Sequence, residues 1–278
     1  MTIRYRWPNL PAMSYPDPPV TPRPAATVLL VRDGSNGLEV FMATRHQEAS
    51  FMPGLLVFPG GRVDETDGDA RLLADLTAEE RALDDLPSRI GGIREAFEEA
   101  DFLFARDRGG PSLITAARLD SLSDWRRRIH HRDATLAEMT EAEGLVLAPS
   151  RLVPFAHWVT PRIRHKRFDT RFYLAEAPHG QEGAHDQREL VDSRWVRPLD
   201  AVAQADRGEV RLAFVTRSNL KLLARSATVA DALRAAAERR IVTVSPEPFD
   251  SPDGPALRIP ADAGYDITEV LVKDTGAG

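Results

Sequence analysis

The sequence predicts an α/β fold in which helices pack against a mixed β-sheet. Short apolar runs bounded by glycine and proline are typical of strands, and an acidic segment with one apolar face is typical of an amphipathic helix. The second half of the chain then mixes further apolar runs with helical patterns, which indicates a layered arrangement. With 278 residues, the chain is long enough for one large α/β domain or for two smaller ones.

The predicted strands are short. Residues 25–31 and 38–43 form a hairpin, because the sequence DGSNG between them is a turn signal. Residues 55–58 make a third strand, which a Pro-Gly-Gly turn stops. Further strands are expected at 152–159, 167–176, 193–196, 241–245 and 256–259.

The predicted helices begin after the third strand. Residues 69–86 are expected to be helical in two pieces, and Thr77 with Glu80 makes a capping box for the second piece. Pro87 and Ser88 then open an acidic helix. Further helices are expected as two short segments within 121–143 and at about 198–206, 216–225 and 228–239.

The acidic helix contains the most informative segment, REAFEE at 94–99. At 100° per residue from Glu95, Glu98 falls at about 300° and Glu99 at about 40°, so the three carboxylates share one face. The opposite, apolar side carries Ile93, Phe97, Ala100 and Phe104. Because like charges on one face repel, we expect a cation to offset them, and a divalent metal ion would also bring chemistry.

The segment upstream of this helix completes the pattern. A strand, a glycine turn at Gly60 and Gly61, and an acidic loop with Asp64 and Asp67 precede the acidic helix. Paired glycines let the backbone turn sharply and approach a ligand closely. The whole arrangement resembles the Nudix box of the Nudix hydrolase superfamily.

The resemblance has three departures. Asp67 stands where the box has its first glutamate, and 26 residues separate it from Arg94 where the box has seven, an insertion of 19 at about 68–87. Asp101 replaces the closing glycine, which would adopt a left-handed conformation that Asp tolerates better than most residues. A box with such an insertion is similar to the peroxisomal-type coenzyme A and acyl-coenzyme A diphosphatases and their bacterial relatives, over about residues 24–216.

This resemblance implies an α/β/α sandwich around the mixed sheet and a metal-dependent cleavage of a pyrophosphate bond. It implies Mg²⁺ or Mn²⁺ as the cofactor and a nucleoside diphosphate derivative, above all coenzyme A or an acyl-coenzyme A, as the ligand. The implied metal ligands are Glu98 and Glu99, with Glu95 as a further ligand or a partner of the ligands. The Gly60 carbonyl and Asp67, or failing that Asp64, would complete the set. Arg94 is expected to orient the carboxylates by charge-assisted hydrogen bonds.

The remaining site residues are predicted from outside the box. A basic cluster containing Arg164, Lys166 and Arg171 is either a clamp for substrate phosphates or an ordinary solvated hairpin, and Gly61 is expected to let the backbone approach the substrate. Glu189 is the first candidate for the general base, with Asp192 as the alternative; both could equally be loop residues.

Three further expectations concern the surroundings of the site. The insertion is expected to border the pocket and set its width, and residues 51–54 could line a substrate wall or serve packing alone. We expect His130, His131 and His157 to be surface or core histidines, because they lack partners at ligand spacing.

Bulk properties narrow the alternatives. The formal charge of −6 argues against nucleic-acid binding, and the absence of cysteine excludes thiolate chemistry. No signal peptide or membrane span is expected, which predicts a cytoplasmic protein; a homodimer is a further expectation. The predicted organisation is a proline-rich arm at 1–24, a Nudix domain at 25–240 and a C-terminal extension at 241–278 packed on it. The rival functions are an ADP-ribose, nucleotide-sugar or dinucleotide pyrophosphatase and a non-catalytic nucleotide sensor.

Overall fold

The computed structural model describes residues 20–46, 54–186 and 190–271. Its main sheet has eight strands. Six of them lie side by side in one row, and each of the other two pairs with a strand of that row. In the notation used below, the row is β10-β7-β8-β1-β2-β3, β4 pairs with β1, and β9 pairs with β2. These strands are β1 (Arg23–Gly34), β2 (Gly37–Arg45), β3 (Leu56–Val57), β4 (Gly60–Arg62), β7 (Val153–Val159), β8 (Phe168–Glu176), β9 (Leu190–Val196) and β10 (Thr243–Val244).

Strand β1 lies inside this sheet and divides the core in two. It pairs in parallel with β8 and antiparallel with both β2 and β4, so the sheet is mixed. Val28 and Leu30 point to one face while Leu29 and Val31 point to the other, and all four are fully buried. Because alternate side chains of a strand face opposite sides, burial of both sets requires a cover on each face.

Helices provide that cover. The helices between β4 and β7 pack on the Val28 face, and the helices between β9 and β10 pack on the Leu29 face. The structure is therefore an α/β/α sandwich, as predicted. The helices are α1 (Ala70–Leu73), α2 (Ala78–Arg81), α3 (Leu86–Ala100), α4 (Ala116–Asp120), α5 (Ser123–His130), α6 (Leu136–Glu143), α7 (Pro198–Asp206), α8 (Phe214–Leu223) and α9 (Val229–Glu238).

Several local predictions are confirmed. The hairpin of β1 and β2 closes at the pair Gly34↔Gly37, and the capping box of Thr77 and Glu80 begins α2. Helix α3 carries a proline in its first turn and buries Ile90 and Ile93. None of the helices in the described part of the chain has the length and apolar character that a membrane crossing requires.

Other local predictions need correction. The two helices predicted within 121–143 are confirmed as α5 and α6, but α4 before them was not predicted. Phe104 is buried but lies beyond the end of α3, because Asp101 ends the helix in a left-handed conformation. The glycine turn does not simply stop β3: residues 60–62 continue as β4, where Gly61 pairs with Ala26.

Two smaller sheets complete the fold. Strands β5 (Ala105–Asp107) and β6 (Leu145–Leu147) pair antiparallel, as do β11 (Glu247–Ser251), β12 (Gly254–Arg258) and β13 (Glu269–Leu271). In the C-terminal segment, Tyr265 donates a hydrogen bond to Asn219 at 2.8 Å and accepts one from Trp158 at 2.9 Å. These bonds tie the segment to the helical layer on the Leu29 face. The proposed domain boundaries stay predictions, and the arm up to residue 19 lies outside the described residues.

Candidate active site

The acidic face of α3 is not a solvated surface. Glu99 is 3% exposed and Glu95 is 9% exposed, and the side chain of Glu98 is 12% exposed. Acidic side chains are seldom this buried unless they are paired or hold a cation. The three carboxylates that the sequence places on one helix face therefore form a buried cluster that needs positive charge.

Arg94 supplies part of that charge. One of its terminal nitrogens, Nη1, donates to Glu95 Oε1 and to Glu98 Oε1, both at 2.9 Å. Its Nη2 donates to the carbonyl oxygen of Arg62 at 2.7 Å. The guanidinium thus links two carboxylates of α3 to strand β4, as expected of a residue that orients these side chains.

Asp67 is occupied by the same arginine. Arg94 Nε donates to Asp67 Oδ1 at 2.8 Å and Arg94 Nη2 donates to Asp67 Oδ2 at 3.1 Å. The backbone amide of Asp64 also donates to Asp67 Oδ2, at 2.8 Å. With 1% exposure, Asp67 is thus fixed by Arg94 and by the turn it caps, although the sequence analysis had expected it to be a metal ligand.

The glycine turn touches the acidic cluster directly. Gly60 N–H donates to Glu99 Oε2 at 2.8 Å. A Cβ atom at Gly61 would lie 2.5 Å from Glu95 Oε1, and one at Gly60 would lie 2.5 Å from the carbonyl oxygen of Ala26. Gly60 is required because its neighbours are backbone atoms, whereas a side chain at Gly61 would displace the Glu95 carboxylate.

The electrostatics of the cluster follow from its burial. Burial raises the pKa of Glu95 to about 7, with Arg94 acting against the shift and Glu98 adding to it. Burial alone would lower the pKa of Arg94, but the negative charges of Glu95 and Asp67 outweigh burial and raise it above its usual value. One arginine therefore does not neutralise this many buried carboxylates.

A cleft of about 530 Å³ opens onto the cluster. Gly60, Gly61 and the three glutamates line its floor, and Lys166 lines its wall. The cationic residues of the described lining are Arg23, Arg45, Arg62, Arg94, Arg132 and Lys166. The cleft thus offers a polyanionic ligand several cationic side chains beside the carboxylates.

Two predicted substrate residues, Arg164 and Arg171, lie outside the described cleft lining. Arg171 forms an ion pair with Asp85 at 2.8 Å and, like Arg164, lies outside the cleft lining; burial lowers the pKa of Arg164. Glu189 and the predicted wall at 51–53 lie outside the described residues. Asp192 is exposed on β9, where it pairs with Thr44 of β2.

Comparison with known sequences decides the family. The family model described as the NUDT19 Nudix domain matches residues 72–218, which is more than half of the chain. The chain belongs to this Nudix family. The segment REAFEE lies within the matched residues, and the upstream glycine turn precedes them.

Curated relatives agree with this assignment. The chain is 29% identical over 251 residues to the acyl-coenzyme A diphosphatase NUDT19 of Gallus gallus, a match that covers 69% of this chain and 65% of the relative. It is 28% identical over 196 residues to the putative nudix hydrolase 7 of Caenorhabditis elegans, covering 68% of this chain and 56% of the relative. The chain thus spans less than two thirds of the length of these relatives.

A solved structure supports the fold. The crystal structure of a NUDIX hydrolase from Alicyclobacillus acidocaldarius superimposes with a TM-score of 0.62 at 27% sequence identity. The match covers 77% of this chain and 96% of that chain. The overall fold is therefore shared with a known Nudix structure.

The structure shows how Asp101 replaces the closing glycine of the Nudix box. Asp101 is the C-cap of α3, with φ 58° and ψ 41°. This is the left-handed conformation that the sequence analysis expected of the missing glycine, and Asp adopts it at a modest cost. Arg126 lies 3.6 Å from the Asp101 carboxylate and helps to hold the helix end.

The insertion in the box does not belong to the described cleft lining. No residue of 68–87 belongs to the described cleft lining, so the expectation that the insertion borders the pocket is wrong. Instead Leu72 is buried in the core, and Arg71 pairs with Glu141 of α6 at 3.4 Å. The end of α5, its connection to α6 and the first residue of α6 line the cleft instead, with Ile129, His130, Arg132, Ala134, Thr135 and Leu136.

His130 is the residue that sequence reasoning missed. It lies at the end of α5, lines the cleft and faces both Glu98 and Asp186. No local spacing in the sequence indicates this contact, because α5 reaches the Nudix box only through tertiary packing. His157 lies far from the box, on β7, where it contacts Asp169 and Thr243.

The donor atoms of the box fit a divalent ion in chemistry. Carboxylate and carbonyl oxygens are the ligands that Mg²⁺ and Mn²⁺ prefer, and the buried excess of acid requires a cation. Within the described residues no three acidic or histidine side chains are already arranged to hold a metal ion. Arg94 bonds to Oε1 of both Glu95 and Glu98, so a metal ion bound at the second oxygen of each carboxylate would leave these contacts in place.

Proposed function

We propose that the protein is a metal-dependent Nudix hydrolase that cleaves the pyrophosphate bond of coenzyme A or an acyl-coenzyme A. The observation that carries this proposal is the buried glutamate cluster of α3 at the floor of a cleft lined by arginine and lysine. Relatives named acyl-coenzyme A diphosphatase support the substrate class.

The proposed metal ligands are Glu95, Glu98, Glu99 and the Gly60 carbonyl, holding Mg²⁺ or Mn²⁺. Such an ion, when bound, neutralises phosphate charge and activates water. Asp67 has a different role in this proposal. Its carboxylate holds Arg94, and Arg94 in turn orients Glu95 and Glu98 toward the cleft.

The cationic wall is proposed to position the substrate phosphates. Lys166 and Arg132 line the cleft from two different connections, β7–β8 for Lys166 and α5–α6 for Arg132. Side chains on two sides can fix a pyrophosphate relative to the carboxylate floor, which orients the scissile bond. The identity of the general base stays a prediction, with Glu189 as the candidate.

The apolar part of the cleft favours an acyl-coenzyme A over a nucleotide substrate whose nucleobase stacks between two aromatic side chains. Ile129, Ala134 and Leu136 line one wall. Among the described lining residues, Phe168 is the one phenylalanine, tyrosine or tryptophan, so no two-sided aromatic slot is formed there. An apolar wall beside a basic one suits a ligand with a long, mostly uncharged arm and charged phosphates.

The test is hydrolysis of a substrate panel with Mg²⁺ and with Mn²⁺. The panel contains coenzyme A, an acyl-coenzyme A, ADP-ribose, NADH and a dinucleoside polyphosphate. Preferred turnover of coenzyme A or its acyl derivative supports the proposal, whereas preference for another member assigns the rival pyrophosphatase function. Tight binding of a panel member without turnover in excess metal ion contradicts enzyme function and indicates a sensor. A cytoplasmic location and a homodimer stay predictions.

A further inference from the structure

The imidazole of His130 has one ring nitrogen that is buried without a hydrogen-bond partner. Its side chain is 10% exposed, and among the described residues no group bonds to Nδ1. That nitrogen lies 3.7 Å from Glu98 Oε2, at the floor of the cleft. Burial of an unsatisfied polar atom costs about 1–3 kcal/mol, so such an atom next to a ligand cleft calls for a partner.

The other ring nitrogen faces a buried carboxylate. His130 Nε2 lies 3.4 Å from Asp186 Oδ2, and the Asp186 side chain is 6% exposed. Asp186 Oδ1 accepts a hydrogen bond from the Leu190 amide at 2.8 Å, which fixes the carboxylate. A neutral imidazole that gives its Nε2 hydrogen to Asp186 presents the lone pair of Nδ1 to Glu98.

Helix α5 is locked to the helix that carries Glu98. Arg126 Nε donates to the carbonyl oxygens of Phe97 at 2.8 Å and Glu98 at 3.2 Å, both in the last turn of α3. His130 follows Arg126 by one helical turn and therefore lies on the same face of α5. The position of His130 relative to Glu98 is thus set by side-chain bonds between the two helices.

We propose that Glu98 Oε2 and His130 Nδ1 are two ligands of one transition-metal ion, with Asp186 holding the imidazole. Two ligand bonds of about 2.1 Å place their donor atoms roughly 3–4 Å apart, which includes the observed separation. Water or substrate oxygens complete the coordination. A carboxylate on the far nitrogen of a ligating histidine is a recurring support in metal sites. This inference rests on the proposed function, because Glu98 belongs to the proposed metal ligands.

The donor pair determines which ion is preferred. Imidazole with carboxylate suits Mn²⁺, Co²⁺ and Zn²⁺, whereas Mg²⁺ takes oxygen ligands almost throughout. Glu98 Oε1 stays with Arg94 in this arrangement, so the site forms without breaking that ion pair. The histidine therefore distinguishes this site from an all-oxygen magnesium site on the same helix.

Pulsed electron paramagnetic resonance of the Mn²⁺-loaded full chain tests this directly, since a coordinated imidazole gives a ¹⁴N modulation that oxygen ligands do not. The wild type and His131→Gln are expected to show the modulation, and His130→Gln is expected to lose it. No modulation in the wild type, or an undiminished one in folded His130→Gln, overturns the proposal.

A second variant tests the positioning role of Asp186. In Asp186→Asn the modulation is expected to persist while the Kd for Mn²⁺ rises about 10- to 100-fold and the Kd for Mg²⁺ changes less. An equal loss for both ions contradicts the assigned role. These binding readouts are independent of turnover: a wild type that shows the modulation but hydrolyses no pyrophosphate refutes the proposed function and leaves the site standing, and hydrolysis without the modulation does the reverse.

Discussion

Arg94 and Asp67 form a two-point ion pair across 27 positions of the chain, with Nε to Oδ1 at 2.8 Å and Nη2 to Oδ2 at 3.1 Å. The pair connects the acidic loop before the insertion to the acidic helix after it. The structure thus keeps the two halves of the interrupted Nudix box together by a buried ionic contact.

Removal of Asp67 is expected to damage both stability and activity. Asp67→Ala leaves Arg94 with one buried partner fewer, which should cost on the order of 3 kcal/mol in the free energy of unfolding, because breaking a buried pair strands a charge. Urea denaturation measures this loss. Asp253→Ala, at an exposed turn, is the control and should fall within about 0.5 kcal/mol of wild type. Equal stability of the two variants would show that the pair is not structural.

A methyl group at Gly61 is expected to disturb the floor of the cleft. Gly61→Ala places a Cβ 2.5 Å from Glu95 Oε1, which forces the carboxylate aside. We expect weaker binding of the divalent ion in calorimetry and about 1–3 kcal/mol lower stability. Gly68→Ala is the matched control, since its added Cβ has no atom within 4 Å. Unaltered metal affinity in Gly61→Ala would argue against Glu95 as a ligand.

Lys166 is expected to act on substrate binding more than on chemistry. Lys166→Ala should raise KM for coenzyme A about 10-fold with little change in kcat, because a phosphate contact made equally in ground and transition states affects KM alone. Arg164→Ala provides the comparison, since Arg164 lies outside the cleft lining. Steady-state kinetics decides the matter, and an unchanged KM in Lys166→Ala removes this residue from the clamp.

The ion pair that anchors the insertion should make stability depend on pH. Glu80 accepts from Arg106 Nη2 at 2.6 Å and from Nη1 at 2.9 Å. Burial would raise the pKa of Glu80, but hydrogen bonds from Arg106, Thr77 and Ser150 outweigh burial and lower it. A carboxylate with a lowered pKa stabilises the folded state above its unfolded pKa, and this stability is lost as pH falls through the folded pKa.

Glu80→Gln should therefore lower the free energy of unfolding at pH 7 by about 1–2 kcal/mol, and the melting temperature should fall with it. The difference from wild type should shrink as pH falls below about 4, because Glu80 takes up a proton in the unfolded chain before it does so in the folded one. Thermal melts of both proteins across this range measure the effect. A gap between the two proteins that stays constant with pH would mean that the charge of Glu80 contributes nothing.

The sequence predicted the features that depend on residues close together along the chain. Glu95, Glu98 and Glu99 share a face because helical spacing dictates it. The glycine turn before them is likewise predicted from neighbouring residues, Pro59, Gly60 and Gly61. Asp101 was predicted in its left-handed role because that conformation admits few residue types. Such features are set by the residues themselves, so one sequence is enough to find them.

What the sequence did not predict depends on tertiary packing. His130 and Asp186 meet Glu98 only because α5 and the segment before β9 fold over the end of α3. The insertion was expected to line the cleft because it interrupts the box, but apolar Leu72 takes it into the core. Asp67 was expected on the metal, yet it is held by Arg94, a pairing that composition and spacing leave open.

The measurement that tests the central claim most directly is hydrolysis of coenzyme A with Mg²⁺ by wild type and by Glu98→Gln, followed by mass spectrometry of the products. Glu238→Gln, on the exposed end of α9, is the control. We predict 4′-phosphopantetheine and adenosine 3′,5′-bisphosphate as the products from wild type and control, and a rate lower on the order of 10³-fold or more in Glu98→Gln. Equal rates in wild type and folded Glu98→Gln would contradict the assignment of the α3 carboxylates as the catalytic metal site.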